Sequence, residues 1–168
     1  MQIPIFPLNG AVLYPETNLP LNIFENRYIE MVDFALSNKR LIGMIQTDEK
    51  GKLFKVGCVG KITSFNETKD GRYLINLEGT SRFNVNKELN KKYLFRVIDA
   101  SVIKEEDNKN NLTTQLKDLL LKKYQDYLTV KKINIDLSEI KNIETDQLVK
   151  FIIMISPFDN LEKQMLLE

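Results

Sequence analysis

Residues 56–77 read VGCVGKITSFNETKDGRYLINL. Two strand-like runs flank Asp70-Gly71, and an Asp-Gly pair in that position is the strongest short-range signal for a tight β-hairpin. The returning run sets Tyr73, Ile75 and Leu77 against Leu74, Asn76 and Glu78, the two-residue period of a strand with one buried face. Gly57 and Gly60 interrupt the outgoing run, which points to a bulge or to a close approach of another backbone. The fold is therefore built around a long hairpin.

Downstream of the hairpin, Gly79 punctuates the chain, a strand is expected over 82–86, and another over 93–103 with Tyr93, Phe95 and Val97 on one face. Upstream, 41–46 reads as a buried strand followed by a turn at 48–51. Residues 25–37 form a helix pattern, with Tyr28, Met31, Val32, Ala35 and Leu36 on one apolar stripe. Glu25 and Glu30 lie toward its start and Lys39 and Arg40 just past its end, the order a helix dipole favours. Four of the five prolines, Pro4, Pro7, Pro15 and Pro20, fall at the start of the chain. Each fixes its own φ and biases its predecessor toward extended geometry, so edge-type strands are expected over 2–6 and 19–24, with turns at 8–10 and 14–16. Closely spaced strands with one embedded helix point to a small, partly closed β-barrel.

After Ile103 the pattern changes. Residues 104–111 are charged and amide-rich and read as a linker. Beyond it the spacing is helical, with Leu112, Leu116, Leu119, Leu120, Tyr127 and Leu128 forming a stripe. Residues 147–155 are apolar almost all round and predict a central buried helix, ended by Ser156-Pro157. Asp159 with Glu162 three residues later predicts a capping box for a last helix. The expected organisation is a β-rich subdomain over 1–107 and a helical subdomain over 108–168, an α+β chain overall.

Composition narrows the function. The 168 residues are 43% hydrophobic and 28% charged, an ordinary globular balance with room for a real core. With 24 basic and 23 acidic side chains there is no bulk attraction to nucleic acid or anionic lipid. Zero histidines exclude imidazole bases and imidazole metal ligands, and one cysteine excludes an intrachain disulfide and a thiolate zinc site. The sequence contains no G-x-x-x-x-G-K-[ST] phosphate loop and no G-x-S-x-G elbow. Glu105-Glu106 sit in the polar linker, Lys122-Lys123 and Lys131-Lys132 read as a solvated helix face, and Cys58 as a small buried hydrophobe. No catalytic residue, metal or cofactor is expected. The chain start lacks a signal-peptide pattern, and the longest apolar run, 151–155, is far shorter than the ~20 residues of a membrane span, so a soluble cytoplasmic protein is expected.

The stretches IPIFPL (3–8), VLYP (12–15) and LPLNIFENRY (19–28) together resemble the start of the Lon protease N-terminal, substrate-binding domain family. The likeness continues through Ile42-Gly43-Met44, Val56-Gly57-Cys58-Val59-Gly60, Gly71-Arg72-Tyr73, Leu77-Glu78-Gly79, Arg82-Phe83 and 158–168, in the family's order. Asn26 departs from it, standing where proline is common at the helix start. The resemblance implies a PUA-like β pseudo-barrel followed by a C-terminal helical bundle, and a stand-alone member without the ATPase and protease parts. It implies binding of unfolded or exposed apolar polypeptide, as an adaptor or holdase, with a separate protease or chaperone as a further partner. RNA binding is the alternative, because PUA-like folds serve it, although the even charge balance disfavours nucleic acid; a hydrolase remnant is a third. The peptide-binding candidates are Leu8, Tyr14, Pro15, Leu19 and Leu21, where Pro-rich extended backbone leaves edge polar groups for a peptide strand to pair. Against that, Pro7, Pro15, Pro20 and Phe24 also serve to fix the chain's path and pack the barrel, and Arg27 to pair a carboxylate or cap a carbonyl.

Overall fold

The Asp70-Gly71 hairpin is present and is the longest strand pairing among the described residues. In a computed structural model that describes residues 1–90, 92–104, 114–134, 140 and 143–168, strand β4 (Val56–Glu67) runs antiparallel to β5 (Tyr73–Leu89). Gly71 takes φ +78°, a conformation glycine adopts without a Cβ clash. The register shifts between Val59 and Gly60, so the bulge expected from the glycines is there. The close approach is there too, because a Cβ on Gly57 would lie 2.5 Å from the Met44 carbonyl oxygen.

The other strands are β1 (Gln2–Pro7), β2 (Asn18–Ile23), β3 (Leu41–Ile45) and β6 (Arg96–Val102). The helices among the described residues are α1 (Asn26–Leu36), α2 (Thr114–Val130), α3 (Thr145–Ile155) and α4 (Asn160–Leu167). The chain is thus α+β, with six strands in the order β2-β5-β4-β3-β1-β6 and a further pairing of β5 with β6 that closes the sheet. Five strands make the ring; β2 hangs on β5 beside it. β1 pairs β3 parallel and β6 antiparallel, so the crossover between β1 and β3 carries β2 and α1.

The core follows the sequence periodicity, with alternate residues of β1, β3 and β4 feeding two clusters on opposite faces of the sheet. On α1, Tyr28, Met31, Val32 and Ala35 are buried, and they join Phe6, Leu13, Ile23, Ile42, Met44, Ile62, Ile75 and Leu77 in one cluster. A second cluster sets Ile3, Ile5, Ile45, Val59, Ile98 and Ala100 around the fully buried Phe83.

Several expected boundaries move. The separate strands over 73–77 and 82–86 are one strand, β5, because Gly79 does not break it: a Cβ there would sit 2.0 Å from the Tyr14 carbonyl oxygen, so this glycine lets the 8–17 segment lie against the strand. The strand expected over 93–103 begins only at Arg96. Ahead of it Phe34 of α1 holds the Tyr93 and Phe95 rings, with centroids at 5.1 and 5.5 Å, and the two rings stack at 4.8 Å. The first strand is not an edge, since it is paired on both sides.

The chain divides into two compact units, one of Met1–Lys104 with Ile153–Glu168, the other of Glu105–Ile152. In the first, α4 begins with the expected capping box: the Glu162 amide donates to the Asp159 side chain, and the Asp159 amide to the Glu162 side chain. Its far end is held by Arg82, whose Nη1 donates to the Leu167 and Glu168 carbonyls at 2.9 and 3.1 Å. The buried amides of Gln46 and Gln164 bond each other, and Gln164 Nε2 also donates to the Val56 carbonyl at 3.0 Å.

In the second unit Tyr124, Leu128, Ile140, Leu148 and Ile152 form the cluster, with Leu120, Leu121 and Tyr127 packed on it. The stripe expected on α2 is therefore rotated: Leu116 and Leu119 are exposed. Leu116, Leu119 and Leu120 share a face at helical spacing, but the buried side lies round toward Leu121, Tyr124 and Leu128. Leu112 and all of the expected linker but Lys104 lie outside the described residues. On α3, Leu148 and Ile152 are buried while Phe151 and Ile155 are exposed, so that helix is not buried all round.

Candidate functional site

Ring closure leaves a breach in the barrel wall. A strand has two edges. One edge of β5 pairs β4, so the other must serve both β2, over 73–78, and β6, over 83–89. β6 ends its pairing with β1 at Ile5↔Arg96, so among the described residues β1 beyond Ile5 has no strand partner on that side. Nor does β2 have a strand partner besides β5 among the described residues. β2 lies beyond the Val102 end of β6 and the unpaired end of β1 beyond its Arg96 end, and the two meet at one groove.

A groove of about 300 Å³ lies there, lined by Phe6, Pro7 and Leu8 from the end of β1 and by Leu21, Asn22 and Ile23 from β2. Phe24, Glu25, Arg27 and Tyr28 at the start of α1 complete it. Tyr28 closes its floor, buried and with its ring 4.3 Å from that of Phe6. Burial of that phenol raises its pKa. At the rim Phe24 is 66% exposed, a large apolar ring that no packing accounts for. The charges of the groove are matched internally: Arg27 Nε donates to the Glu25 carboxylate at 2.9 Å, and its guanidinium lies 4.5 Å from the Tyr28 ring centroid.

The backbone direction at each edge can be read from the hydrogen bonds. The Leu8 amide donates to the Ile45 carbonyl at 3.0 Å, so even-numbered residues at the end of β1 face β3 and Pro7 faces the breach. The Gly79 amide donates to the Thr17 carbonyl at 2.9 Å, so odd-numbered residues of β2 face β5. Asn18, Pro20 and Asn22 therefore turn their backbone groups to the open edge. Proline fits there, since an absent N–H costs no ladder bond.

The five peptide-binding candidates separate. Leu8 and Leu21 line the groove. Leu19 is partly buried against the ring core one inward position earlier on β2. Tyr14 and Pro15 are buried; the Tyr14 hydroxyl donates to the Lys163 carbonyl at 2.9 Å, and burial pushes its pKa up to about 12. Neither of the two lines the groove. Phe24 and Arg27 were read as frame residues, and the structure puts both on the groove. Arg27 does pair a carboxylate, as expected; Phe24 packs no barrel. Its place between a Pro-bearing edge strand and a helix cap was the available signal.

Among the described residues no three His, Cys, Asp or Glu side chains gather as a metal site, and no helix is long and apolar enough to cross a membrane.

Comparison with known proteins matches residues 2–168 to the ATP-dependent protease La (LON) substrate-binding domain. A crystal structure of a Lon N-terminal domain protein from Xanthomonas campestris superposes with a TM-score of 0.75 at 21% identity, covering 100% of this chain and 90% of that one. The N-terminal domain of Mycobacterium avium complex Lon protease gives 0.71 at 16% identity, covering 99% and 89%. The Lon protease of Brevibacillus choshinensis is 25% identical over 177 residues, 99% of this chain and 23% of that protein. The chain spans about a fifth of the length of the curated relatives it matches.

Proposed function

We propose that this chain, which belongs to the LON substrate-binding domain family, recognises protein substrates through the groove at the breach between β1 and β2. The observation that carries the reading is an apolar groove with its charges internally paired, beside an exposed phenylalanine, in a member of a substrate-binding family. Such a surface takes exposed apolar segments of unfolded polypeptide. Leu8, Leu21 and Phe24 supply the contact area, and Leu19 packs on the core one inward position before Leu21. The chain acts without catalysis of its own, as an adaptor or holdase that presents clients to a protease or chaperone. A PUA-like pseudo-barrel carries the site.

The test is a fluorescence titration of a reduced, unfolded client protein at low and at moderate salt. Few ion pairs form in this groove, so affinity changes less than about threefold between the two. Leu21→Ser removes roughly half of a leucine's burial from the contact, about 1 kcal/mol, and weakens binding about fivefold. A single-stranded RNA is titrated in parallel. Salt-sensitive RNA binding without client binding would refute the proposal.

A further inference from the structure

The groove and the open edge of β2 are adjacent, and their joint geometry specifies more than an apolar contact. Unpaired main-chain groups along an extended strand have one natural complement, another extended main chain. We infer that a client segment binds as an added β-strand along Asn18–Ile23, pairing with the main chain of Asn18, Pro20 and Asn22 while its alternate side chains enter the groove. The inference rests on the substrate-recognition reading of the same groove and adds its binding mode and substrate class.

The edge offers a definite set of partners. The carbonyls of Asn18, Pro20 and Asn22 accept, and the amides of Asn18 and Asn22 donate. Pro20 adds an acceptor and withholds a donor. The three residues are exposed, and odd-numbered Leu19, Leu21 and Ile23 point inward. Across the breach the end of β1 shows the Pro7 carbonyl and no donor, so β1 does not compete as a second ladder; it contributes the apolar wall of Phe6 and Leu8. With Glu25 paired to Arg27, no net charge awaits the client. The class of ligand is therefore an uncharged segment of about six residues, the length of β2, with apolar residues at every second position and no proline where its amide must face β2.

Strand addition has a signature that apolar adhesion lacks. In an added strand only every second amide faces β2. A methyl on such a nitrogen deletes a donor and occupies the space between strands about 4.8 Å apart; a methyl on the next nitrogen points away. The probe is an acetylated, amidated peptide Ser-Val-Thr-Leu-Thr-Val-Ser and its singly N-methylated variants, titrated against the wild-type chain by fluorescence anisotropy. The expected result is a two-residue alternation, with loss of about tenfold or more at every second position and less than threefold between. Uniform tolerance of N-methylation by a peptide that does bind overturns strand addition and leaves the substrate-recognition reading standing. Binding of an unfolded client but not of the parent peptide overturns it in the same way. If neither client nor peptide binds, both fall. Sedimentation is run alongside: a dimer of the chain that the peptide cannot dissociate assigns the edge to a second copy and overturns the inference.

Discussion

Gly79→Ala tests how the 8–17 segment is fixed against β5, and with it the start of β2. The added Cβ would sit 2.0 Å from the Tyr14 carbonyl oxygen and 2.8 Å from its carbon. Carbon atoms in contact prefer about 3.5–4.0 Å, so backbone must move by more than 1 Å, and neither partner is a flexible side-chain end. The same junction holds two hydrogen bonds, from the Glu16 amide to the Gly79 carbonyl at 2.8 Å and from the Gly79 amide to the Thr17 carbonyl at 2.9 Å. Separation strains or breaks both, at about 1 kcal/mol each, and overpacking of the neighbouring Leu13 adds roughly 1–3 kcal/mol. Alanine regains about 0.5–1 kcal/mol over glycine within a strand. The expected net loss is about 2–4 kcal/mol in urea unfolding. Gly57→Ala, where the clash at 2.5 Å is also with a backbone oxygen, should behave alike. At Gly51 nothing lies within 4 Å, so Gly51→Ala meets only the strain of φ +76°, at about 1 kcal/mol. A Gly79→Ala protein within 0.5 kcal/mol of wild type would show that the segment does not lie where described.

Three further outcomes are expected. Tyr14→Phe loses the bond to the Lys163 carbonyl and costs about 1 kcal/mol of stability, while client affinity stays within twofold, because the side chain is core and not groove. The same phenol gives an alkaline signature: its folded pKa of about 12 exceeds the ordinary 10.0, so its contribution is complete below pH 10 and is lost as pH rises toward 12. That window is worth roughly 2–3 kcal/mol, and it should narrow in Tyr14→Phe; an identical alkaline profile in both proteins contradicts the assignment. Finally, the purified chain should hydrolyse neither ATP nor casein, and hydrolysis that a point mutation in this chain abolishes would overturn its non-catalytic role.

Local signals in the sequence translated well. The Asp-Gly turn, the α1 stripe and the Asp159–Glu162 box each depend on residues within a few positions, and each is present. What was misread depends on distant partners. Gly79 looks like a strand end until the Tyr14 carbonyl is beside it, and the 93–95 segment looks like strand until Phe34 takes its rings. The face of α2 was misplaced because Leu116, Leu119 and Leu120 make a stripe of their own, while the buried side lies round toward Leu121 and Tyr124. The groove was half legible. Leu8 and Leu21 came from the Pro-rich extended pattern, but Tyr14 and Pro15 share that pattern and are buried. Phe24 was missed because nothing in the sequence says that β6 stops pairing with β1 at Ile5, which is what opens the wall beside it.

An unpaired edge is a hazard as well as a site, and the placing of two prolines bears on both. Pro7 faces the breach on one side and Pro20 on the other, each deleting a donor that another chain's edge would need for a continuous ladder. On the strand-addition proposal the edge of β2 still offers up to five hydrogen bonds, worth about 5 kcal/mol together, but ordering six client residues costs a comparable ~6 kcal/mol. Main-chain pairing alone is then close to neutral. Net affinity must come from the client side chains that enter the groove beside Leu8, Leu21 and Phe24, at roughly 1.5–3 kcal/mol for each one fully buried. Two such side chains contribute about 3–6 kcal/mol, against which the loss of translational and rotational freedom must be set, so binding is weak. Folded proteins, whose strands are paired and whose apolar side chains are inside, offer neither component, so the same arithmetic that makes binding weak makes it selective for non-native chains.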